Sequence, residues 1–99
     1  MNQEQRIIDT WFKECGWEYW SPEWILARLT EEVGEFARAV NDAYGPKQKK
    51  KSESMASVED ELGDILYTLA CYANAHGINL DDALGKSIAK VKERDRDRF

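Results

Sequence analysis

Helical spacing of apolar residues is the feature that most constrains the fold of this 99-residue chain. Apolar side chains recur every three to four residues, and no stretch shows the two-residue alternation of a half-buried strand. Helix boundary signals divide the chain into four such segments, and these signals are Gly16, Ser21-Pro22, Gly45-Pro46, His76-Gly77 and Asn79. The sequence therefore predicts an all-α, antiparallel four-helix fold whose two middle helices are the longest.

A polar, basic connector separates the two middle helices. Residues 45–54 lack apolar periodicity and include a run of lysines, which is typical of a mobile, solvated loop. The third helix is predicted to begin near Ser54 or Ser57, because Ser57-Val-Glu-Asp60 resembles a capping box. The chain length suits one domain, residues 1–99.

Composition and charge exclude several classes of function. The formal net charge is −5, whereas a general nucleic-acid binder needs a basic face to replace counterions. No run of about 18 apolar residues is present, so no membrane-spanning segment is predicted. The first residues lack the apolar stretch of a signal peptide, and the isolated Cys15 and Cys71 fit a reducing compartment. We therefore expect a cytoplasmic protein that binds neither nucleic acid nor membrane.

Two matched acidic tetrapeptides stand out, Glu32-Val-Gly-Glu35 in the second helix and Glu61-Leu-Gly-Asp64 in the third. Residues three apart share a helix face, about 5–6 Å apart at Cβ, so two antiparallel helices bring four carboxylates together. Apolar neighbours on the same faces indicate partial dehydration, and a hard divalent cation relieves both repulsion and dehydration. All-oxygen ligation points to Mg²⁺ or Mn²⁺. The alternative is a solvated acidic face.

Glycine occupies the same place in both tetrapeptides. A glycine inside a helix costs about 1 kcal/mol relative to alanine. Gly34 and Gly63 therefore indicate a close approach of two helices, room for a ligand, or ordinary small packing residues.

The acids and their flanks resemble the all-α nucleoside triphosphate pyrophosphohydrolases, the group of MazG, dimeric dUTPase and dCTP pyrophosphatase enzymes. The signature is matched by Glu31-Glu32-x-x-Glu35 followed by Glu61-x-x-Asp64. Segments similar to the family's helices and aromatic segment are Leu29-Thr-Glu-Glu-Val-Gly-Glu-Phe-Ala37, His76-Gly-Ile-Asn-Leu-Asp-Asp-Ala-Leu84 and Trp17-Glu-Tyr-Trp-Ser-Pro22. The resemblance covers roughly residues 5–98.

The resemblance implies a reaction in which water attacks the α-phosphorus of an NTP or dNTP, giving the monophosphate and pyrophosphate. It implies Mg²⁺, or Mn²⁺ in its place, bound by four acids, namely Glu32, Glu35, Glu61 and Asp64. Glu31 lies 100° around the helix from Glu32, either behind the ligands or orienting the attacking water. House-cleaning of noncanonical nucleotides and control of dNTP pools fit equally well.

The resemblance also implies phosphate contacts from the fourth helix and self-association. Lys90 and Arg94 fit the phosphate contacts, with Arg96 or Arg98 as alternatives, although Arg94 stands where the family commonly has Asn. A homodimer or homotetramer is expected, and a small domain with four Trp, four Tyr and three Phe agrees with that expectation.

A flat base needs an aromatic wall, and four side chains are candidates: Trp17, Trp20, Trp24 and Tyr67. Trp20 is preferred, because it precedes Ser21 in a non-helical segment, and Tyr67 is the second choice. The alternative for each is a place in the core or at a subunit interface.

Three other functions compete with this hypothesis. One is a non-catalytic helical dimerisation or interaction domain whose acids are surface charge. Another is an enzyme resembling phosphoribosyl-ATP pyrophosphohydrolase, which shares the fold. A di-iron carboxylate bundle is disfavoured, because such sites use Glu-x-x-His pairs and no His follows either acid pair.

Overall fold

Four α-helices make up the fold. The computed structural model describes residues 1–45 and 51–96, with side chains described from residue 57 onward in the second stretch. In chain order the helices are α1 (Asn2–Cys15), α2 (Pro22–Tyr44), α3 (Lys51–Ala75) and α4 (Leu80–Asp95), and the described residues include no strand. The all-α prediction is confirmed, and α2 and α3 are the longest helices, with 23 and 25 residues.

The helix ends follow local chemistry. Gly16 after α1 and Gly77 after α3 have φ values of 70° and 68°, a left-handed conformation that glycine adopts without a steric penalty. At the start of α2, the Ser21 hydroxyl accepts the amide N–H three residues later at 3.3 Å. Asn79 does the same for α4 at 3.0 Å. These boundaries are as the sequence predicted.

The start of α3 differs from the prediction. The helix begins at Lys51, so residues 51–54 belong to it and not to a loop, and Ser57–Asp60 lies inside it. Lysine and glutamate are good helix formers, and a capping-box pattern also occurs within helices, so polarity alone did not locate this boundary. Residues 46–50 of the predicted loop lie outside the described residues.

The main packing contact joins α2 to α3, and α1 lies against α3. Small side chains dominate the buried apolar residues, which are Ile25, Ala39, Ala43, Ala70, Cys71 and Ala73. Because the separation of packed helices depends on the side chains between them, alanine on both helices lets α2 and α3 lie close together. This contact holds the two acidic tetrapeptides side by side.

A buried amide fastens α1 to the end of α3 and the start of α4. The Gln5 side chain donates to Asn74 Oδ1 at 3.1 Å and to the Ile78 carbonyl at 2.8 Å. Its oxygen accepts the Leu80 N–H at 3.0 Å. Each polar atom of this buried side chain is therefore partnered, as burial requires.

The segment between α1 and α2 is anchored by Tyr19. Its ring stacks on Phe12 with centroids 4.6 Å apart. Its hydroxyl donates to Asp9 Oδ1 at 2.8 Å and accepts from Asn74 Nδ2 at 3.0 Å. Desolvation, reinforced by the Asp9 hydrogen bond, raises the pKa of Tyr19 to about 12, so the phenol stays a neutral donor.

The protomer is open, and α4 extends from it. The radius of gyration is 16.7 Å, compared with about 13 Å for a compact chain of 100 residues. The predicted apolar stripe is present on α4, but Leu84 is 57% exposed and Ile88 is 46% exposed. The first turn of α4 is tied to the start of the chain by the Leu80 N–H, which donates to Gln5 Oε1 at 3.0 Å, and by Asp81, which accepts from the Met1 amine at 2.8 Å and from the Asn2 N–H at 3.2 Å.

Among the described helices, none combines the length and the apolar character needed to cross a membrane.

Candidate active site

Three carboxylates meet at the seam between α2 and α3. Glu32 on α2 and Glu61 and Asp64 on α3 each offer one oxygen, and these oxygens lie within 4.8 Å of one another. Glu32 is only 4% exposed, Glu61 is intermediate and Asp64 is exposed. The cluster therefore runs from the packed seam out to solvent.

Two oxygens of this cluster are buried and lack a hydrogen-bond partner within the described part of the chain. They are Oε2 of Glu32 and Oε2 of Glu61. Desolvation is the main cause that raises the pKa of both carboxyls, and the charge of Glu35 is the next. Buried carboxylates of like charge are costly unless a cation compensates them. The oxygen-only donor set fits a hard divalent cation.

Glu35 and Glu31 occupy different positions around this cluster. Glu35 is exposed, yet its charge adds to the desolvation that raises the pKa of Glu32 and of Glu61, so it lies at the edge of the cluster. Glu31 is exposed and stands outside the group of three carboxylates. The structure thus brings three of the four predicted acids together, places Glu35 near enough to repel two of them, and leaves Glu31 outside the group.

A small cavity of about 90 Å³ adjoins the acids. Trp20 and Tyr67 line it together with Glu32 and Asp64. The two aromatic residues preferred from the sequence therefore face the same space as two of the acids. Desolvation raises the pKa of Tyr67 to about 12, so its hydroxyl remains neutral.

The other two aromatic candidates lie elsewhere. Trp17 packs edge-on against Trp11 and Phe12, with ring centroids 5.1 Å and 5.7 Å apart. Trp24 is exposed and does not line the cavity beside the acids. Trp17 therefore contacts neighbouring aromatic rings but, at 52% exposed, does not lie in the core of the described chain.

Besides the apolar Ile25, three residues that sequence reasoning missed line the cavity, namely Arg28, Thr68 and Cys71. The sequence signal that could have identified these residues is their spacing from the acids. Arg28 precedes Glu32 by four residues, and the other two follow Asp64 by four and seven, so each shares a helix face with an acid. The Thr68 hydroxyl donates to the Asp64 carbonyl at 2.9 Å.

The basic residues predicted on α4 are not beside the acids in this protomer. Lys90 and Arg94 do not line the cavity, and α4 does not pack against α2 or α3 as those two helices pack on each other. The Arg94 guanidinium pairs with Asp95 at 3.1 Å. Arg96 pairs with Glu93 at 3.1 Å, and Arg98 lies outside the described residues. The direction of α4 after the Gly77 turn accounts for the difference.

The glycines of the tetrapeptides do not mark a close helix approach. A Cβ built on Gly34 or Gly63 would meet no heavy atom within 4 Å. Gly63 instead borders an apolar cavity of about 360 Å³ between α1 and α3, which is also lined by Ile8 and Leu66. Both positions therefore face open space.

Comparison with known proteins agrees with this geometry. The model of the MazG nucleotide pyrophosphohydrolase domain matches residues 20–99. The uncharacterized protein YpjD of Bacillus subtilis (strain 168) is 42% identical over 99 residues, which cover 100% of this chain and 89% of YpjD. YvdC of the same strain is 29% identical over an alignment of length 96, and the match covers 87% of this chain and 91% of YvdC.

A solved structure agrees as well. The crystal structure of Bacillus subtilis YpjD, described as a candidate pyrophosphatase, matches with a TM-score of 0.80 at 41% identity. The match covers 96% of this chain and 95% of the YpjD chain. The shared fold and the domain match over most of the sequence both support the same family. This chain belongs to the family of MazG nucleotide pyrophosphohydrolase domains.

Proposed function

We propose that this protein hydrolyses a nucleoside triphosphate, either an NTP or a dNTP, to the monophosphate and pyrophosphate in a reaction that depends on a divalent cation. The observation that carries the proposal is the cluster of Glu32, Glu61 and Asp64, with two buried oxygens that lack hydrogen-bond partners among the described residues. Membership of a nucleotide pyrophosphohydrolase family supplies the class of reaction.

The acids would hold the cation and the attacking water. Glu32, Glu61 and Asp64, with Glu35 at the edge, supply oxygen ligands for Mg²⁺ or its substitute Mn²⁺. Such an ion neutralises phosphate oxygens and lowers the pKa of bound water. Glu31, exposed beside this set, is the residue that we assign to orienting the water.

The nucleoside would enter beside these acids. Trp20 and Tyr67 share the cavity with Glu32 and Asp64, so a base against the Trp20 ring lies near the acids. An aromatic wall of this kind binds any base through its flat face, so other contacts decide the preferred base.

The predicted phosphate contacts and the exposed face of α4 both support assembly with a second copy of the chain. Lys90 and Arg94 lie away from the acids in one protomer, and the apolar stripe of α4 is uncovered. We propose that α4 packs against a second copy, giving a homodimer or homotetramer in which these two cations bind the pyrophosphate portion. The open shape of the protomer, with its radius of gyration of 16.7 Å, supports this proposal.

The assembly proposal predicts that Ile88→Asp dissociates the protein. An uncompensated charge buried in an apolar interface costs roughly 3 kcal/mol or more, which weakens association about 100-fold. Sedimentation velocity at micromolar concentration should show a dimer or tetramer for the parent and a shift to monomer for the variant. Ala89→Asp, which adds the same charge on the opposite, exposed face of α4, should leave the assembly intact. A monomeric parent would contradict the proposal.

The reaction itself is tested by a pyrophosphate-release panel over the eight common NTPs and dNTPs. With Mg²⁺ or Mn²⁺ we expect pyrophosphate from at least one nucleotide, no orthophosphate, and no turnover after chelation. Phosphoribosyl-ATP, assayed in parallel, tests the related substrate. If the folded protein releases no pyrophosphate from any nucleotide of the panel, hydrolysis of the common nucleotides is ruled out. Orthophosphate as the product would place the cleavage at another bond.

A further inference from the structure

Arg28 makes an ion pair with the most buried acid of the cluster. Its Nε lies 3.0 Å from Oε1 of Glu32, four residues later on α2. The Arg28 side chain is half exposed, whereas the Glu32 side chain is buried. One end of the pair is therefore in water and the other is in the seam between α2 and α3.

The two oxygens of Glu32 are in different situations. Oε1 is engaged by Arg28, whereas Oε2 is buried without a hydrogen-bond partner in the described structure. Arg28 attracts the Glu32 charge, while Glu35 and Asp64 repel it. Among the described residues that line the adjoining cavity, Arg28 carries the one positive charge.

We propose that Arg28 is a positioning residue that fixes the Glu32 carboxylate for cation binding. This inference rests on the proposed function. By holding Oε1, the guanidinium restricts rotation of the carboxylate and leaves Oε2 as the oxygen available to a cation. Partners of this kind orient ligating carboxylates, and their loss typically lowers metal affinity by about 10–100-fold.

Two opposite effects of Arg28 on cation affinity can be separated. As a nearby positive charge, it repels a divalent cation, and its removal would strengthen binding. As an anchor for Glu32, it strengthens binding, and its removal would weaken it. Because the guanidinium is half exposed, water and salt screen its repulsion of the cation. Screening does not remove the benefit of a buried Glu32 carboxylate that is already oriented for the cation. The anchoring effect is therefore the larger one.

The test is the affinity of the nucleotide-free, full-length protein for Mn²⁺, measured by electron paramagnetic resonance of free Mn²⁺. Arg28→Met keeps the apolar stem and removes the guanidinium, and we expect it to weaken Mn²⁺ binding by about tenfold or more. Arg28→Lys should recover part of the affinity, because an ammonium still donates to Oε1 but lacks the planar fork.

The matched control is Arg6→Met, which removes one exposed arginine on α1 that borders different cavities. It should bind Mn²⁺ as the parent does. Circular dichroism checks folding, and Arg28→Gln takes the place of Arg28→Met if that variant does not fold. Mn²⁺ binding by the neutral variants as tight as the parent's, or tighter, would overturn the positioning role and leave the proposed function standing. Absence of saturable Mn²⁺ binding by the parent would overturn both.

Discussion

Replacement of Asp64 by Asn, or of Glu32 by Gln, is expected to lower kcat for nucleotide hydrolysis by roughly 10³-fold or more, about 4 kcal/mol in the activation barrier. Each substitution keeps the shape of the side chain and removes the negative charge from a cluster whose oxygens lie within 4.8 Å. A neutral amide is a poor ligand for Mg²⁺, so both the neutralisation of phosphate and the activation of water are lost.

The control for this pair is Glu59→Gln, an exposed acid on α3 two residues before Glu61. Two residues correspond to about 200° around a helix, so Glu59 faces away from the cluster. Initial rates of pyrophosphate release at saturating nucleotide measure the effect, and circular dichroism checks the fold. If Asp64→Asn keeps more than a tenth of the parent kcat, Asp64 does not belong to the metal site.

The second large effect is stabilisation by a divalent cation. At a concentration 100 times its Kd, a ligand of the folded state alone adds about 2.7 kcal/mol to the free energy of unfolding. We expect Mg²⁺ or Mn²⁺ to raise the thermal midpoint accordingly, because the cation neutralises clustered carboxylates and engages the buried Oε2 atoms of Glu32 and Glu61. A domain that only mediates protein contacts would show no such shift.

This stabilisation should depend on pH with a defined sign. The pKa values of Glu32 and Glu61 are raised above the ordinary value of 4.5, chiefly by desolvation. In the cation-free protein these groups favour folding when protonated, so their contribution is complete below the unfolded-state pKa and is lost as pH rises through the folded-state pKa. The cation removes the cost of burying these two charges, and that cost exists only on the alkaline side, where Glu32 and Glu61 are ionised.

The measurement compares thermal midpoints with Mn²⁺ and with chelator, at about pH 7.5 and at about pH 5, at one protein concentration. The Mn²⁺-dependent gain should be large at the higher pH and smaller at the lower. Glu61→Gln should raise the midpoint of the cation-free protein at the higher pH, because it removes one repelling charge. An equal gain at both values of pH would show that the cation binds elsewhere.

The sequence predicted the fold well where local chemistry determines it. The end of α1 depends on Gly16, which acts through its own backbone conformation. The start of α2 depends on Ser21 and Pro22, and Ser21 acts through a hydrogen bond within one turn. The seam acids were also predictable, because a spacing of three residues on each of two packed helices determines which side chains meet.

Other features depend on contacts between distant parts of the chain. The start of α3 at Lys51 follows a polar stretch whose composition suits a helix or a loop equally. The direction of α4 follows from the turn at Gly77 and from the buried Gln5, which joins three elements by hydrogen bonds. No periodicity in the sequence encodes that geometry, so the absence of Lys90 from the lining of the cavity beside the acids was not predicted.

The anchored segment around Tyr19 and the helices that carry the acids are different elements of the fold. The acids stand on α2 and α3, whereas Trp20 belongs to a short segment tied by the Tyr19 hydroxyl to Asp9 and Asn74. Substitutions at position 20 can therefore reshape the cavity beside the acids without moving the helices that carry the charge. Under the proposed function, a scaffold divided in this way can change how tightly it holds a nucleoside, during evolution or in the laboratory, while its acidic cluster stays intact.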